Sequence, residues 1–503
     1  MLKENKKYFP TVYALLVSVL IISAAACTYF TALLMKSFLS VRIAVYIIKI
    51  AFALSVISSP MSSEAKYCWV FLILAIPYAA IPVYIIFCRT RLSRKEKEIL
   101  ASLEKKKPKI ESFGSKMALK CDENFTFLRE IAGYSNANIY NNTSADYIES
   151  AEKMVELLCR DIERARRFIF LEFYTVASGS VFGKICKLLI EKAALGVEVR
   201  LIYDELGSIL RIPEDFPALM REKGINAVAH ASLTGSFPAA LNNRNHRKIA
   251  VIDGEIAYTG GINLADEYVY SRPRLGKWKD SAIRICGEGV QSMTYTFLSD
   301  YSLTSGIEED FSKYYKYRKC RCKGQALIFD DGPSPFYVER RAKRTILAML
   351  NSAEKYFSAT TPYLVCDCEI LSAIRAAMRR GVRVRIAIPG MPDKFFIGLL
   401  TRHYAARLCE MGAEIYVYKP GFLHSKQYIA DGRLLLFGTV NLDYRSLFHN
   451  FENCVLFSSH SLIIDAERDI ECVFSDSVPL KRKKESLPMR LLGAVIEIFA
   501  PLF

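Results

Sequence analysis

The sequence lacks the cysteine spacing of a structural metal site. None of its fourteen cysteines forms a C-x2-C pair, and the x1 spacing of Cys320 with Cys322 and of Cys366 with Cys368 is poor for zinc. Three cysteines lie in or beside apolar segments near the N-terminus and the others are scattered, which favours reduced thiols over a disulfide framework. The sequence therefore predicts no bound metal and no disulfide-dependent fold.

Acidic residues are also in deficit. Lys and Arg number 68 against 52 for Asp and Glu, a formal charge of +16 at pH 7. The chain has 503 residues, 51% of them hydrophobic, so it is long enough for more than one domain beside a membrane anchor. A basic chain suits anionic partners, whether lipid headgroups or nucleic acid.

Formal charge is absent from two long runs near the N-terminus. Thr11 to Met35 has 25 residues and Tyr67 to Cys88 has 22, each enough to cross a hydrocarbon core of ~30 Å at ~1.5 Å per residue. Ile43 to Ile57 is shorter and carries Lys49, so it is either a third span whose Lys49 extends to the interface or a helix that lies at the interface. Two or three spans are therefore expected. The first run exceeds a usual signal-peptide core and no small-residue cleavage site follows, so it is interpreted as an anchor.

A basic segment follows the second run and contains Arg89, Arg91, Arg94, Lys95, Lys97 and Lys105 to Lys107. The positive-inside rule places such a segment in the cytoplasm. The sequence thus predicts a multi-pass cell-membrane protein in which the long segment after residue 88 is cytoplasmic. The same charges suit contact with anionic headgroups, and a solvated linker helix is the alternative.

One chemical pattern occurs twice at identical spacing, although little between its fixed positions agrees. Its copies are His246-x-Lys248-x4-Asp253-x6-Gly260-x2-Asn263 and His424-x-Lys426-x4-Asp431-x6-Gly438-x2-Asn441. A lone H-x-K is common by chance, and a single buried histidine is usually a packed core residue. Recurrence of five residues at the same spacing argues against chance and predicts one shared phosphoryl-transfer site.

Each copy is predicted to form a β-hairpin. Asp253-Gly254 and Asp431-Gly432 lie between β-rich runs and are strong two-residue turn signals. His and Lys two apart on a strand share a face, and the turn brings the Asn back beside the His. The motif Asp lies seven residues from its His, roughly 23 Å along a strand at ~3.3 Å per residue, so it is interpreted as structural.

The converging side chains suit phosphodiester chemistry. Lysine ammonium and asparagine amide groups donate hydrogen bonds to phosphate oxygens, while a neutral imidazole attacks phosphorus or carries a proton. Two copies supply a nucleophile and a general acid. No metal and no cofactor are implied.

The rest of the chain repeats one order: a β-rich run, a helix, then a second β-rich run opened by Gly-Val. The helices are predicted at Val181 to Ala194 and Ile370 to Arg380, and the Gly-Val pairs begin at Gly196 and Gly381. This order predicts an α/β fold of two pseudo-symmetric halves, each with a mixed sheet, around a shared active site. The expected divisions are a membrane region at 1–88, a basic linker at 89–111, a first domain at 112–325 and a second at 326–503.

These motifs resemble the paired HKD motifs of the phospholipase D superfamily, and their surroundings are similar to the bacterial cardiolipin synthase family. The supporting stretches are Gly196 to Ser208, Ala257 to Asn263, Trp278 to Asp280, Thr361 to Tyr363, Gly421 to Lys426, and Asn441 to Glu452. The similarity runs from about Tyr67 to the C-terminus. Gly261 and Thr439 stand where many members carry Ser, so one hydroxyl donor is missing from the first motif and one is kept in the second.

The resemblance implies a two-step transfer. His246 would attack the phosphorus of phosphatidylglycerol to form a phosphatidyl-histidine, while His424 protonates the departing glycerol. His424 would then act as base for the hydroxyl of a second phosphatidylglycerol, yielding cardiolipin. Charge on the non-bridging oxygens would be neutralised by Lys248, Lys426, Asn263 and Asn441.

The resemblance also implies that each histidine is oriented by an acid downstream of its own motif. Asp280 would then serve His246, and Glu452 would serve His424, each fixing the tautomer and raising basicity. Without the resemblance, ordinary surface ion pairs would explain these acids equally well.

Two other classes of function remain open. A hydrolase of the same superfamily, either phospholipase or nuclease, would use water in the second step, and a non-catalytic lipid-binding protein would keep a fossil site. The complete motifs argue against a non-catalytic protein, and the membrane segments favour a lipid substrate over nucleic acid. The partners expected are therefore phosphatidylglycerol, anionic lipids and the bilayer; transfer over hydrolysis depends on how well the pocket excludes water.

Overall fold

The structure of the protein is a computed structural model that describes residues 38–88, 92–108, 123–230, 242–270, 275–316, 320, 324–481 and 487–502, with isolated positions between 26 and 36. Most of the predicted anchor at Thr11 to Met35 lies outside these residues, as do Arg89, Arg91 and Cys322. The chain divides into two compact units. One unit comprises residues 1–91, 233–242 and 495–503, and the other comprises 92–232 and 243–494.

The first unit contains the helices Leu39–Ile57, Ser63–Ala75 and Pro77–Cys88. Within the described residues, Leu39–Ile57 is the one helix long and apolar enough to cross a membrane, and it covers the expected third span. The run Tyr67 to Cys88, predicted as one span, is divided between two helices. Ile76 leaves helical geometry at φ −132° and ψ 61°, and Pro77, which has no N–H to continue the ladder, begins a new helix.

The second unit contains two mixed sheets with matching strand orders. The first sheet runs β2 (Thr143–Ile148), β9 (Ala282–Gly287), β7 (Ile256–Gly260), β6 (Lys248–Ile252), β3 (Phe168–Phe173), β4 (Glu198–Asp204) and β5 (Ile225–His230). The second runs β10 (Gln325–Asp331), β17 (Glu452–Ser458), β16 (Leu434–Gly438), β15 (Gln427–Ala430), β11 (Tyr356–Thr360), β12 (Arg383–Pro389) and β13 (Glu414–Tyr418). Its outer edges are formed by β1 (Ile139–Tyr140) beside β10 and β18 (Ser477–Pro479) beside β13.

In each sheet the last three matched strands are parallel and the others antiparallel, as β-α-β units followed by a hairpin require. The prediction of two α/β halves with mixed sheets is confirmed. One detail crosses the expected domain division at residue 325. Strand β1, from the first predicted domain, pairs with β10 in the second sheet.

The helices of eight residues or more in this unit are Arg94–Lys106, Glu123–Ser135, Ala151–Arg164, Ser180–Ala194, Val290–Ser305, Arg341–Ser352, Cys368–Arg379, Phe395–Met411 and Leu462–Ser475. Two shorter ones are Glu205–Ser208 and Phe216–Glu222, and a last helix, Leu487–Phe499, lies near the C-terminus. The helices predicted from apolar spacing between the paired β-runs correspond to Ser180–Ala194 and Cys368–Arg379.

The core lies on both faces of the sheets. Inward side chains of both sheets share one cluster with the helices Val290–Ser305 and Leu462–Ser475; Phe170 of β3, for example, stacks on Phe297 at 4.6 Å. The outer face of the first sheet is covered by helices that include Ala151–Arg164 and Ser180–Ala194. Burial on both faces makes each sheet a rigid support for side chains at its strand ends.

Candidate active site

Each repeated motif folds as a hairpin at the predicted place, but three residues rather than two separate the last paired positions, Ile252 from Ile256 and Ala430 from Leu434. Strands β6 and β7 are joined at Asp253 and Gly254, with φ of 57° and 74°, and β15 and β16 are joined at Asp431 and Gly432, with φ of 55° and 64°. Two successive positive φ angles suit the right-handed twist of the strands, and Asp-Gly tolerates them at low cost. The turns therefore return Gly260 and Gly438 to the neighbourhood of the histidines.

The two motif aspartates hold backbone and do not touch the histidines. Asp253 accepts hydrogen bonds from the N–H groups of Arg166, Arg167 and Phe168 at 2.7–3.0 Å. Asp431 does the same for Glu354, Lys355 and Tyr356 at 2.8–2.9 Å. Each carboxylate thus fixes the start of the neighbouring strand, β3 or β11, which agrees with a structural role.

The pairing of histidines with acids is crossed, so the implied pairing is wrong. His246 Nδ1 lies 3.0 Å from both carboxylate oxygens of Glu452, and His424 Nδ1 lies 2.6 Å from Asp280 Oδ2. Each histidine is therefore oriented by the acid that follows the other motif. Both carboxylate side chains are fully buried.

Backbone pairing between the halves explains the crossing. Asn245 forms a parallel bridge with Phe451, and the His246 N–H donates to the Phe451 carbonyl at 2.9 Å; this sets Glu452 beside His246. In the other half, β14 (Gly421–Leu423) pairs in parallel with β8 (Lys277–Lys279), and the His424 N–H donates to the Lys279 carbonyl at 2.8 Å. Asp280 is thereby set beside His424.

The motif lysines are buried next to the histidines. Lys248 Nζ donates to the His246 carbonyl at 2.7 Å, and Lys426 Nζ donates to the His424 carbonyl and lies 2.8 Å from its Nδ1. Each lysine is 1% exposed. Because Nδ1 of His424 donates its proton to Asp280, the contact with the lysine is a close approach between two donors.

Burial shifts every ionisable group of this cluster towards its neutral form. It lowers the pKa of Lys248 to about 7 and that of Lys426 to about 8, and it raises the pKa of Asp280 and of Glu452 to about 7, against the opposing effect of the lysines. Burial, followed by the charges of the two lysines, holds the pKa of each histidine well below its ordinary value. His246 also lowers the pKa of His424, so the two motifs act on each other. Both imidazoles are neutral at pH 7, the form a nucleophile needs.

The two motif asparagines have different surroundings. Asn263 Oδ1 accepts from the Thr175 N–H at 3.0 Å, and its amide donates to the Tyr268 hydroxyl at 2.6 Å. Asn441 donates to Asp443 Oδ2 at 3.2 Å, and its carbonyl oxygen has no donor among the described residues.

The Ser position of the family also differs between halves. The Thr439 hydroxyl donates to Glu452, the acid that orients His246, so the retained hydroxyl supports a carboxylate. At Gly261, a Cβ would overlap the carboxylate of Asp280. Glycine is therefore required for Asp280 to reach His424.

Sequence reasoning missed several side chains near the histidines. Lys394, after β12, and Arg445 both lower the pKa of His246 through their charge, after burial and the motif lysines. The rings of Tyr174 and Tyr268 lie 5.5 Å from His246 and 5.6 Å from His424, respectively. The position of Lys394 at the carboxyl end of a parallel strand was the available signal.

Two α/β halves that contribute matching His-Lys-Asn sets define a protein of the phospholipase D superfamily. The family model described as "Cardiolipin synthase, PLD-like domain" matches residues 158–272 and 346–474. The chain is 30% identical over 481 residues to the cardiolipin synthase of Oceanobacillus iheyensis, covering 91% of this chain and 97% of that one. The chain belongs to the cardiolipin synthase family.

Two further comparisons agree. An uncharacterized protein of Streptococcus mutans is 33% identical over 463 residues, covering 89% of this chain and 99% of that one. The crystal structure of phosphatidylserine synthase from Haemophilus influenzae superposes with a TM-score of 0.58 at 14% identity, covering 75% of this chain and 100% of that one. At that identity the superposition demonstrates a shared fold.

Proposed function

We propose that this protein is a membrane phosphatidyltransferase that condenses two phosphatidylglycerol molecules into cardiolipin and glycerol. The observation that carries the proposal is the pair of neutral histidines from opposite halves, each hydrogen-bonded at Nδ1 to a buried carboxylate. Family membership supplies the lipid class of the substrate.

His246 is the nucleophile of the first step. Glu452 accepts the Nδ1 proton at 3.0 Å, which leaves the Nε2 lone pair free to attack phosphorus. The bond from phosphorus to the glycerol oxygen breaks as the bond from Nε2 forms. The product is a phosphatidyl-histidine and free glycerol.

His424 carries the proton in both steps. Burial and then the lysine charges lower the pKa of this histidine in the free enzyme. The arriving phosphodiester anion raises it, so the imidazole is protonated in the complex and gives its proton to the glycerol oxygen. It then takes the proton of the attacking hydroxyl of a second phosphatidylglycerol. Asp280 stabilises the imidazolium in the interval, as a buried carboxylate does in other acid-oriented histidines.

The phosphoryl oxygens are bound by donors alone. Lys248 and Lys426 supply ammonium groups, and Asn263 and Asn441 supply amide N–H groups, already buried and oriented before the substrate arrives. Donors fixed in a water-poor site stabilise the additional charge of the transition state more than mobile water does.

The membrane assignment rests on the helix Leu39–Ile57 and on the lipid substrate. The enzyme is proposed to be a multi-pass protein of the cell membrane with its catalytic unit in the cytoplasm, next to the basic segment that contains Arg94 and Lys95. Nucleic acid is not proposed as a partner.

Separation of the lipid products tests the proposal. Full-length enzyme in detergent is incubated with labelled phosphatidylglycerol, beside the His246→Ala variant and a matched control, His403→Ala, in which a histidine outside the motifs is removed. Cardiolipin with an equal amount of glycerol, made by wild type and His403→Ala but not by His246→Ala, is the expected result. Phosphatidic acid as the sole lipid product would identify a hydrolase instead.

A further inference from the structure

Two acceptor oxygens near Lys426 have no hydrogen-bond donor among the residues that the structure describes. They are Asn441 Oδ1 and Asp393 Oδ1, and both atoms are shielded from solvent. The Asn441 side chain belongs to the repeated motif and is 3% exposed. Buried acceptors are nearly always paired in native proteins, so two such atoms in one region indicate a ligand that brings donors.

The contacts of Asn441 fix which of its atoms lacks a partner. Its Nδ2 donates to Asp443 Oδ2 at 3.2 Å. Rotating the amide by half a turn would set its carbonyl oxygen against a carboxylate oxygen, which is unfavourable because both are acceptors. The unpartnered atom is therefore the carbonyl oxygen.

The first half provides an internal comparison. Asn263 occupies the same motif position as Asn441, yet its Oδ1 accepts from the Thr175 N–H at 3.0 Å and its Nδ2 donates to the Tyr268 hydroxyl at 2.6 Å. The first half thus supplies a donor for the asparagine oxygen and leaves one amide N–H of Asn263 for the substrate. The unpartnered carbonyl is a property of the second half, which also contributes His424.

One carboxylate oxygen of Asp393 accepts a hydrogen bond, and the other has no donor among the described residues. The Tyr363 hydroxyl donates to Asp393 Oδ2 at 2.8 Å, and the Lys394 ammonium lies 5.1 Å from the centre of the Tyr363 ring. Burial lowers the pKa of Lys426 to about 8, and the charges of Asp280 and Glu452, followed by those of Asp443 and Asp393, oppose that lowering. A parallel bridge between Leu364 and Leu442 sets Tyr363, the partner of Asp393, beside Asn441. Lys426 Nζ lies 2.8 Å from His424 Nδ1, so these acceptors lie on the His424 side of the reaction centre.

The chemistry of the two atoms selects the ligand group. Phosphate oxygens only accept hydrogen bonds and cannot pair with a carbonyl or carboxylate oxygen, whereas the hydroxyl groups of a polyol donate to both. We propose that Asp393 and Asn441 form a hydroxyl-binding subsite for the two free hydroxyl groups of the phosphatidylglycerol headgroup, beside His424. This rests on the proposed function and deepens it, because His424 is the group that serves the glycerol oxygen.

Headgroup release from two donor lipids tests the subsite. Phosphatidylglycerol and phosphatidylpropanol carry the same phosphate charge and can be prepared with the same acyl chains, but the propyl headgroup lacks both hydroxyls. The ratio of single-turnover rates of headgroup release from the two lipids is measured in detergent micelles with full-length enzyme in excess over lipid, because phosphatidylpropanol has no hydroxyl to accept the phosphatidyl group in a second step. Wild type is expected to prefer phosphatidylglycerol, and Asp393→Asn is expected to reduce that preference roughly tenfold, since a buried acceptor that has lost its charge binds a donor less well.

Two further variants serve as controls for the ratio of the rates with the two lipids. Tyr363→Phe removes the hydrogen bond that orients Asp393 and should shift the ratio in the same direction by a smaller factor. Asp215→Asn makes the same carboxylate-to-amide change at an exposed residue of the first half and should leave the ratio unchanged.

A loss of rate in Asp393→Asn that is equal for both lipids would overturn the subsite, because a merely structural role does not distinguish headgroups. A wild-type preference for phosphatidylethanolamine over phosphatidylglycerol that Asp393→Asn abolishes would also overturn it, in favour of an ammonium ligand. Headgroup release counts transfer and hydrolysis alike. Phosphatidic acid as the sole lipid product would refute the transferase, but the selectivity ratio would still test the subsite. If wild type released no glycerol from phosphatidylglycerol, both the transferase and the subsite would be refuted.

Discussion

Both carboxylate oxygens of Glu452 lie 3.0 Å from Nδ1 of His246, although the two residues belong to different halves of the protein. Asp280 and His424 repeat the relationship in the opposite direction. Neither half therefore contains both a catalytic histidine and its orienting acid. Backbone pairing between the halves brings each histidine next to its acid. The active site forms only when both halves are folded and paired.

The crossed pairing predicts which variants share a defect. With a phosphatidyl donor that carries a nitrophenol leaving group, little general-acid help is needed, so His424→Ala and Asp280→Asn should keep a first burst of nitrophenol. His246→Ala should abolish that burst and Glu452→Gln should slow it by roughly 10- to 100-fold, because the nucleophile loses its oriented tautomer. Stopped-flow absorbance measures the burst. A normal burst in Glu452→Gln together with a lost burst in Asp280→Asn would assign the acids the other way.

Substitutions at Gly261 and Thr439, which occupy equivalent motif positions, are expected to lower kcat to different extents. Gly261→Ala should lower kcat by roughly tenfold or more, because its Cβ would displace Asp280 from His424. Thr439→Ser keeps the hydroxyl that donates to Glu452 and should be nearly neutral, whereas Thr439→Val removes it. Steady-state kinetics at matched folded fractions, checked by circular dichroism, compare the three. Full activity in Gly261→Ala would show that Asp280 tolerates displacement.

The lysine pKa values predict an alkaline limit to substrate capture. Burial lowers the pKa of Lys248 to about 7 and that of Lys426 to about 8, so in the free enzyme both are charged below these values and lose their protons as pH rises through them. The bound phosphodiester restores the charge. We expect kcat/KM to fall between about pH 7 and 9 while kcat stays flatter, in assays with one fixed micelle composition. A kcat/KM that rises over this range would contradict the assignment.

Asp431 predicts an acid-sensitive part of the stability. Burial alone would raise its pKa, but hydrogen bonds from three backbone N–H groups outweigh burial and hold the pKa below its ordinary value. A lowered carboxyl pKa contributes stability that is present above the unfolded pKa near ~4 and is lost as pH falls through the folded value. Asp431→Ala should cost about 2 kcal/mol at pH 7 and less at pH 3. Urea unfolding at several pH values measures the difference, and a loss independent of pH would point to packing instead.

The repeated motifs were enough to predict the hairpins, the structural role of Asp253 and Asp431, and the β-α-β order of both halves. These are local properties, since two-residue turns and the periods of strands and helices are set by neighbours in sequence. The break at Ile76 was harder to predict, because apolar composition alone does not reveal where a proline begins a new helix. The pairing of acids was wrong because it was assigned by nearness along the chain.

The sequence by itself determined the family, the six side chains that form the histidine, lysine and asparagine sets, and the turns that fold each set into a hairpin. Only the tertiary structure decided that Glu452 serves His246 and that Asp280 serves His424. It also decided that, among the described residues, the Asn441 carbonyl has no donor while that of Asn263 has one. The physical reason is that these relationships depend on contacts between segments distant in sequence, with separations of 206 and 144 residues for the two histidine–acid pairs and 88 for Asn263 with Thr175. Local periodicity carries no information about such pairings.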